Sequence, residues 1–188
     1  KGQEESCLAH MEKLLADEQI AAFIFEPLVQ GANGMRMHDS ETLGRLIELC
    51  RSKGVITIAD EVFTGFYRTG KRFACNHLSV QPDIMCLSKT LTGGTLPLGV
   101  TAAPEFIYEA FLSDDKYKTF FHGHSFTANP IACRAALASL ELFDEPSCLS
   151  NIQRIVDAQT QFAKEIIGNR SIEEIRILGT ILAIELKT

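Results

Sequence analysis

Three short apolar runs each end in a group able to do chemistry. Ala21-Ala-Phe-Ile-Phe25 runs into Glu26, Val55-Ile-Thr-Ile-Ala59 into Asp60, and Asp83-Ile-Met-Cys-Leu87 into Ser88 and Lys89. Continuous apolar runs of this length read as strands buried in a parallel sheet. In open α/β sheets, ligands bind in the crevice beyond the carboxyl ends of the strands. Taken singly, each polar residue reads first as an ordinary strand-end group at the solvent boundary. Taken together, with glycines flanking them, two carboxylates and an amine at three strand ends read as a site.

Lys89 lies between a buried strand and the turn Thr90-Leu-Thr-Gly-Gly-Thr95. A lysine so placed is expected to be desolvated, which favours the neutral amine and a Schiff-base nucleophile. Phosphate binding is the alternative use of such a lysine. The G-x-x-x-x-G-K-[ST] pattern is absent, because the glycines follow Lys89, and G-x-G-x-x-G is absent as well. Asp60, ending a buried strand, needs a cationic or hydrogen-bond-donating partner. A pyridinium nitrogen is one such partner. Pyridoxal phosphate enzymes require a Schiff-base lysine and a residue that tunes the ring nitrogen, and the Asp60 and Lys89 pair meets that need.

The elements that would position these groups alternate along the chain. The spacing of Leu8, Met11, Leu14 and Leu15 predicts a helix over 7–16, and Leu43, Leu46, Ile47 and Cys50 predict another, with Ser40 as its N-cap and Gly54 as its stop. A fourth strand is expected at 99–103. Pro104 is expected at the first position of a short helix, and Pro130 at the start of one reaching Phe143. A further amphipathic helix is expected over 151–167, then a terminal strand over 179–186 with no partner after it. Alternating strands and helices indicate an α/β domain with a mostly parallel sheet flanked by helices. The stretch Asp144-Glu-Pro-Ser147 is the best boundary, dividing residues 1–145 from 146–188. An unpaired terminal strand is an incomplete sheet, so the 188 residues are expected to be a piece of a longer chain.

Composition narrows the class. Hydrophobic residues make up 46% and charged residues 22%, values that fit a globular core and argue against disorder. No apolar run approaches the roughly 20 residues of a membrane span, and the polar segment 1–10 shows no signal-peptide pattern. The net charge of −6 comes without a basic patch, so no nucleic-acid partner is expected. The six cysteines are scattered, with no C-x-x-C and no histidine at zinc-finger spacing, which predicts reduced thiols, no metal site and a cytoplasmic protein.

Three segments together resemble class III aminotransferases of pyridoxal phosphate fold type I. They are Glu26-Pro-Leu-Val-Gln-Gly31, Ala59-Asp-Glu-Val-Phe-Thr-Gly-Phe-Tyr-Arg-Thr-Gly70 and Leu87-Ser-Lys-Thr-Leu-Thr-Gly-Gly94. The resemblance covers nearly the whole chain. It implies the large pyridoxal 5'-phosphate-binding α/β domain of that fold. Lys89 would be the Schiff-base lysine, Asp60 the partner of the ring nitrogen, and Val62 a packing residue on one ring face. Ser125, in His122-Gly-His-Ser-Phe126, would bind the cofactor phosphate, in this family across a homodimer interface. Arg68 would lie near the substrate. Many ornithine- and aminobutyrate-type members carry Gln where Phe63 stands here. The remaining phosphate, ring-stacking and substrate-carboxylate residues of the family would fall outside these 188 residues. Residues 146–188 would be the linking helix and first strand of a small domain. Glu26 reads equally as an active-site group or a structural acceptor. His122 and His124 are expected to make loop hydrogen bonds, Thr92 and Thr95 to cap or line the turn after Lys89, and Phe120, Phe121 and Phe126 to be core or subunit interface.

Overall fold

The structure, a computed structural model, describes residues 2–16 and 19–187. Its centre is a four-stranded sheet of β1 (Ala22–Phe25), β4 (Ile56–Asp60), β5 (Ile84–Leu87) and β6 (Val100–Ala102), in that spatial order. The first three strands are parallel and β6 is antiparallel to β5. Between β1 and β4 the chain forms a small antiparallel pair, β2 (Val29–Gln30) and β3 (Arg36–Met37), and the helix α2 (Ser40–Ser52). The β2–β3 pair has no signature in the sequence beyond the Gly31 and Gly34 turn.

Helix α2 buries Leu43, Leu46, Ile47 and Cys50, the face expected from their spacing. Its N-cap is Asp39, one residue before the expected Ser40: the Asp39 carboxylate accepts from Thr42 N at 2.7 Å. A carboxylate at a helix start both accepts the unpaired N–H and meets the positive end of the dipole, so it outcompetes the neighbouring hydroxyl. Thr42 N also holds the Asp39 carboxyl below its ordinary range. Gly54 ends the helix at φ 70°, as expected. Helix α1 spans Gly2–Leu14, beginning before the expected residue 7. It buries Leu8 and is tied to α2 by an Arg45–Glu5 ion pair of 2.8 Å.

Asp83 fixes β5 against β4. Its Oδ2 accepts from Thr57 N at 2.8 Å and from Thr57 Oγ1 at 2.7 Å, while Asp83 N donates to Thr57 O at 3.0 Å. Thr57 is fully buried, so these bonds satisfy groups that water cannot reach.

Beyond the sheet lie α3 (Glu105–Glu109), α4 (Pro130–Phe143), α5 (Pro146–Ile166) and the hairpin β7 (Ile172–Leu178) with β8 (Ile181–Leu186). Pro104 is the N-cap of α3, one position before the place expected for it. Helix α4 starts at Pro130 as expected, capped by Asn129, whose Oδ1 accepts from Ile131 N and Ala132 N. Helix α5 starts at Pro146, five residues before the expected start, because a proline suits the first helical turn and Asp144 and Glu145 alone form the break.

The terminal strand is not alone. β8 pairs with β7 from Ile172 to Leu186, and β7 was hidden by its charged residues Glu173, Glu174 and Arg176. Ile181 is buried in the main core with Leu28, Val29, Leu43, Ile47 and Ala59, and Leu178 packs against the same cluster. The hairpin therefore seats its turn in the α/β body.

Candidate active site

The parallel register decides where the functional groups emerge. Phe25 stands beside Ala59, and Asp60 beside Cys86. Glu26, Asp60 and Ser88-Lys89 therefore leave the sheet along one edge, the edge at which α/β proteins bind ligands.

Two adjacent carboxylates stand at the end of β4, Asp60 as its last residue and Glu61 just beyond it. Asp60 is half-buried, and its Oδ1 accepts from Val62 N at 3.0 Å, which orients the carboxylate at the edge. Glu61 is fully buried. Its Oε1 accepts from Cys75 N at 2.7 Å, and its Oε2 from Ala74 N at 3.0 Å and Thr64 Oγ1 at 2.6 Å. Its own N donates to Cys86 O at 3.0 Å, extending the ladder with β5. Three donors to one carboxylate stabilise its buried charge. The result is a post that ties the end of β4 to the 3-10 turn Ala74–His77 and fixes the ends of the loop between them. Burial first, and then the Glu61 carboxylate, push the Cys75 thiol well above its ordinary range. No sequence reasoning had singled out Glu61. The available signal was an acidic residue inside an apolar segment.

The loop that follows carries Val62, Phe63 and Arg68. Lys89 Nζ lies 5.4 Å from the centre of the Phe63 ring, and Arg68 Cζ lies 5.6 Å from it. Both distances are within the range of cation–π attraction. Phe63 is backed by Gly31, where a Cβ would come within 3.0 Å of the ring. Gly31 N donates to Glu26 Oε2 at 2.8 Å. Glu26 thus acts as a structural acceptor, one of the two readings left open for it. Nearby, His38 Nε2 accepts from Leu28 N at 3.0 Å, and burial lowers the pKa of His38 below its ordinary value.

Lys89 itself is exposed, so the expected desolvation is not met within this chain. Its backbone adopts φ 44°, and Phe66 and Tyr67 lie at 59° and 67°. Left-handed conformations at non-glycine residues cost on the order of 1–3 kcal/mol each and cluster at functional sites. Both rings contact Phe143, Phe66 stacked on it at 5.6 Å and Tyr67 tilted against it at 5.9 Å. After Lys89 the chain makes a 3-10 turn, Lys89–Thr92, closed by Gly93 at φ 62°. Thr92 Oγ1 donates to Leu96 O at 2.6 Å and Thr95 Oγ1 to Thr92 O at 2.7 Å, so both threonines shape this turn as expected.

Asp60, Val62, Arg68 and Lys89 are thus gathered on one strand edge and its loop. Ser125 is different: it is exposed on the 122–129 segment. His124 and Phe126 of that segment line a cleft of about 800 Å3 that reaches Ser88, the residue before Lys89. His124 Nδ1 accepts from Phe126 N at 3.1 Å, the kind of loop bond expected of it. Phe120, Phe121 and Phe126 are 63%, 82% and 72% exposed, which removes the core reading for them and leaves the interface one. All six cysteines are free, but Cys7 is exposed and only Cys50 and Cys75 are fully buried.

Known proteins resemble this chain over nearly its whole length. A family model described as aminotransferase class-III matches residues 1–188. The adenosylmethionine-8-amino-7-oxononanoate aminotransferase of Synechococcus elongatus is 45% identical over 186 residues, covering 99% of this chain and 43% of the relative. The crystal structure of the enzyme of that name from Methanocaldococcus jannaschii aligns with a TM-score of 0.89 at 35% identity, covering 96% of this chain and 43% of that one. The ornithine aminotransferase of Toxoplasma gondii, described with partial occupancy of PLP at its active site, aligns at 0.84 and 32% identity, with 96% and 41% covered. The chain spans about two fifths of the length of the relatives it matches.

Proposed function

The chain belongs to the class III aminotransferase family, and on that premise we propose that it is the cofactor-binding part of an enzyme that transfers an amino group from S-adenosylmethionine to 8-amino-7-oxononanoate in biotin synthesis. The observation that carries the reaction class is the convergence of Asp60 and Lys89 at one sheet edge. The choice of substrates is supported by the 45% identity to a relative named for them.

The residues present fit pyridoxal 5'-phosphate. Lys89 offers a solvent-reachable amine, and Asp60 a carboxylate oriented through Oδ1 at the neighbouring strand end. When bound, this cofactor supplies a protonated pyridine ring that takes up the electron pair left on the amino-bearing carbon. Lys89 would hold the cofactor through its side-chain amine and, once that amine is free, would serve as general base and acid. Asp60 would pair with the ring nitrogen and favour its protonated form. Val62 would pack on one face of the ring, Ser125 would bind the cofactor phosphate across a subunit interface, and Arg68 would lie near the substrate. The exposed aromatic side chains of 117–126 fit a homodimer interface of the kind that role for Ser125 requires. Residues 1–145 make the large domain, and 146–188 begin the small one with a helix and a hairpin. The proposed setting is the cytoplasm. Among the described residues no helix is long and apolar enough to cross a membrane.

Phe63 separates this reading from transfer by ornithine- or ω-amino-acid-type relatives, many of which carry Gln at that position. Assaying the intact enzyme with S-adenosylmethionine, ornithine, acetylornithine and 4-aminobutyrate as amino donors tests it. S-adenosylmethionine is expected to be the preferred donor. Preference for ornithine or 4-aminobutyrate would overturn the substrate assignment while leaving the reaction class.

A further inference from the structure

Arg68 is held from two directions. Its guanidinium lies on the Phe63 ring. Its backbone is held by the far end of the chain, at the turn between β7 and β8. Thr180 N donates to Arg68 O at 3.0 Å, and Thr180 Oγ1 donates to the same oxygen at 3.2 Å. Gly179, at φ 59°, lies so close to the loop that a Cβ there would overlap Gly70 N and Thr69 C and stand 2.6 Å from Arg68 O. Gly70 faces it at φ 90°. Two glycines let these backbones approach closer than any side chain would permit.

The turn is itself anchored. Ile181 is buried in the main core, Leu178 packs on it, and Arg176 Nη2 donates to Gly34 O at 2.8 Å. Arg176 is also paired with Glu185 at 2.7 Å and with Glu174. A hairpin turn needs none of these contacts in order to close. The loop it touches carries Phe66 and Tyr67 in left-handed conformations, which persist only where surroundings over-determine them. Phe143 constrains that loop on one side. The Gly179-Thr180 turn constrains the residues that follow.

We propose that the Gly179-Thr180 turn is a positioning element for Arg68: it fixes the backbone from which the guanidinium reaches substrate, so the C-terminal hairpin governs substrate affinity. The inference rests on the reading of Arg68 as a substrate-side residue. Loss of a contact made equally in the ground and transition states raises KM and leaves kcat unchanged, so a shift of this backbone is expected to register in binding.

The test compares Gly179→Ala and Thr180→Val in the intact enzyme. Gly179→Ala is expected to raise the KM of the substrate that Arg68 contacts about tenfold or more, with kcat changed less than about threefold and cofactor attachment at Lys89 unchanged. Thr180→Val loses one hydrogen bond without added bulk and is expected to raise KM by about two- to fivefold. In an Arg68→Ala background both effects should vanish. Equal effects with and without Arg68 overturn the proposal, as does a parallel fall in kcat and Lys89 attachment, which would mean general loosening. Amide exchange at Gly70 and Thr180 distinguishes the two premises. Faster exchange in the variants, with Arg68→Ala itself silent on KM, means that the Arg68 reading fails and the inference falls with it. Unchanged exchange and KM in the variants mean that the clamp fails while Arg68 keeps its role. Should Gly179→Ala not fold, Thr180→Val carries the same comparison.

Discussion

The end of β4 and the segment 112–131 are built on opposite terms. Around Glu61 the polar groups are matched inside the chain: Thr64, Ala74 and Cys75 all donate to one buried carboxylate. Along 112–131 the apolar groups are unmatched: Tyr117, Phe121 and Phe126 are 96%, 82% and 72% exposed. The first region completes itself. The second presents surface that soluble proteins of this size normally cover. The proposed active site draws on both, taking the cofactor residues Asp60, Val62 and Lys89 and the substrate-side Arg68 from the self-sufficient region and Ser125 from the other. On the proposed reading, this chain alone would orient the ring-side groups and leave the phosphate-side group to an assembly.

Substitutions can sharpen that contrast. The largest effect is expected from Glu61→Ala, which strands two buried backbone N–H groups and the Thr64 hydroxyl. A loss of about 3 kcal/mol or more in chemical denaturation is predicted, with Glu61→Gln losing less. A loss below about 1 kcal/mol would show that the post is dispensable. At the border of the exposed segment, Asn129→Ala removes the cap of α4 and should lower stability by about 1 kcal/mol in the same assay. The pH dependence gives a smaller signal from the self-sufficient side. Burial, the largest influence on both residues, depresses the pKa of His38 and His77 below the ordinary 6.5. The unfolded chain then binds more protons than the folded one as pH drops through that value. The contribution of these histidines is fully present above about pH 6.5 and is lost below it. A denaturation series from pH 8 to 5 should show this loss, and His38→Gln should reduce its slope. The smallest effect on stability is expected at Phe121→Ser, within about 0.5 kcal/mol. Sedimentation should nonetheless show weakened self-association. A large loss of stability with unchanged association would reverse the assignment of that surface.

The sequence made the self-sufficient half easiest to read. Apolar runs ending in Glu26, Asp60 and Lys89 placed three parallel strands through their continuous hydrophobic signal, but the burial expected of them is only partly met within this chain, where Ile24 of β1 is 62% exposed and β5 is half-buried throughout. The face of α2 was equally legible from its period. What stayed hidden depends on contacts distant in sequence. β7 is interrupted by Glu173, Glu174 and Arg176, and its alternation is blurred by a register shift near Ile172 and Glu174. Glu61 carries only the weak signal of an acid beside an apolar run, because its donors Ala74 and Cys75 reach it only in the fold. The shared placement of Arg68 and Lys89 on Phe63 required the loop conformation set by Phe66 and Tyr67, which no local pattern announces. The exposure of Lys89 also ran against local reasoning, since an apolar strand before it and a glycine turn after it do not say what covers the side chain.

The central claim is that Lys89 is the amine that carries the cofactor. Borohydride reduction of the intact enzyme with pyridoxal 5'-phosphate, followed by peptide mapping, tests it most directly. The account predicts one stable pyridoxyl label, on the peptide containing Lys89, and its absence in Lys89→Ala. A label on another lysine, or none on the Lys89 peptide, would contradict it.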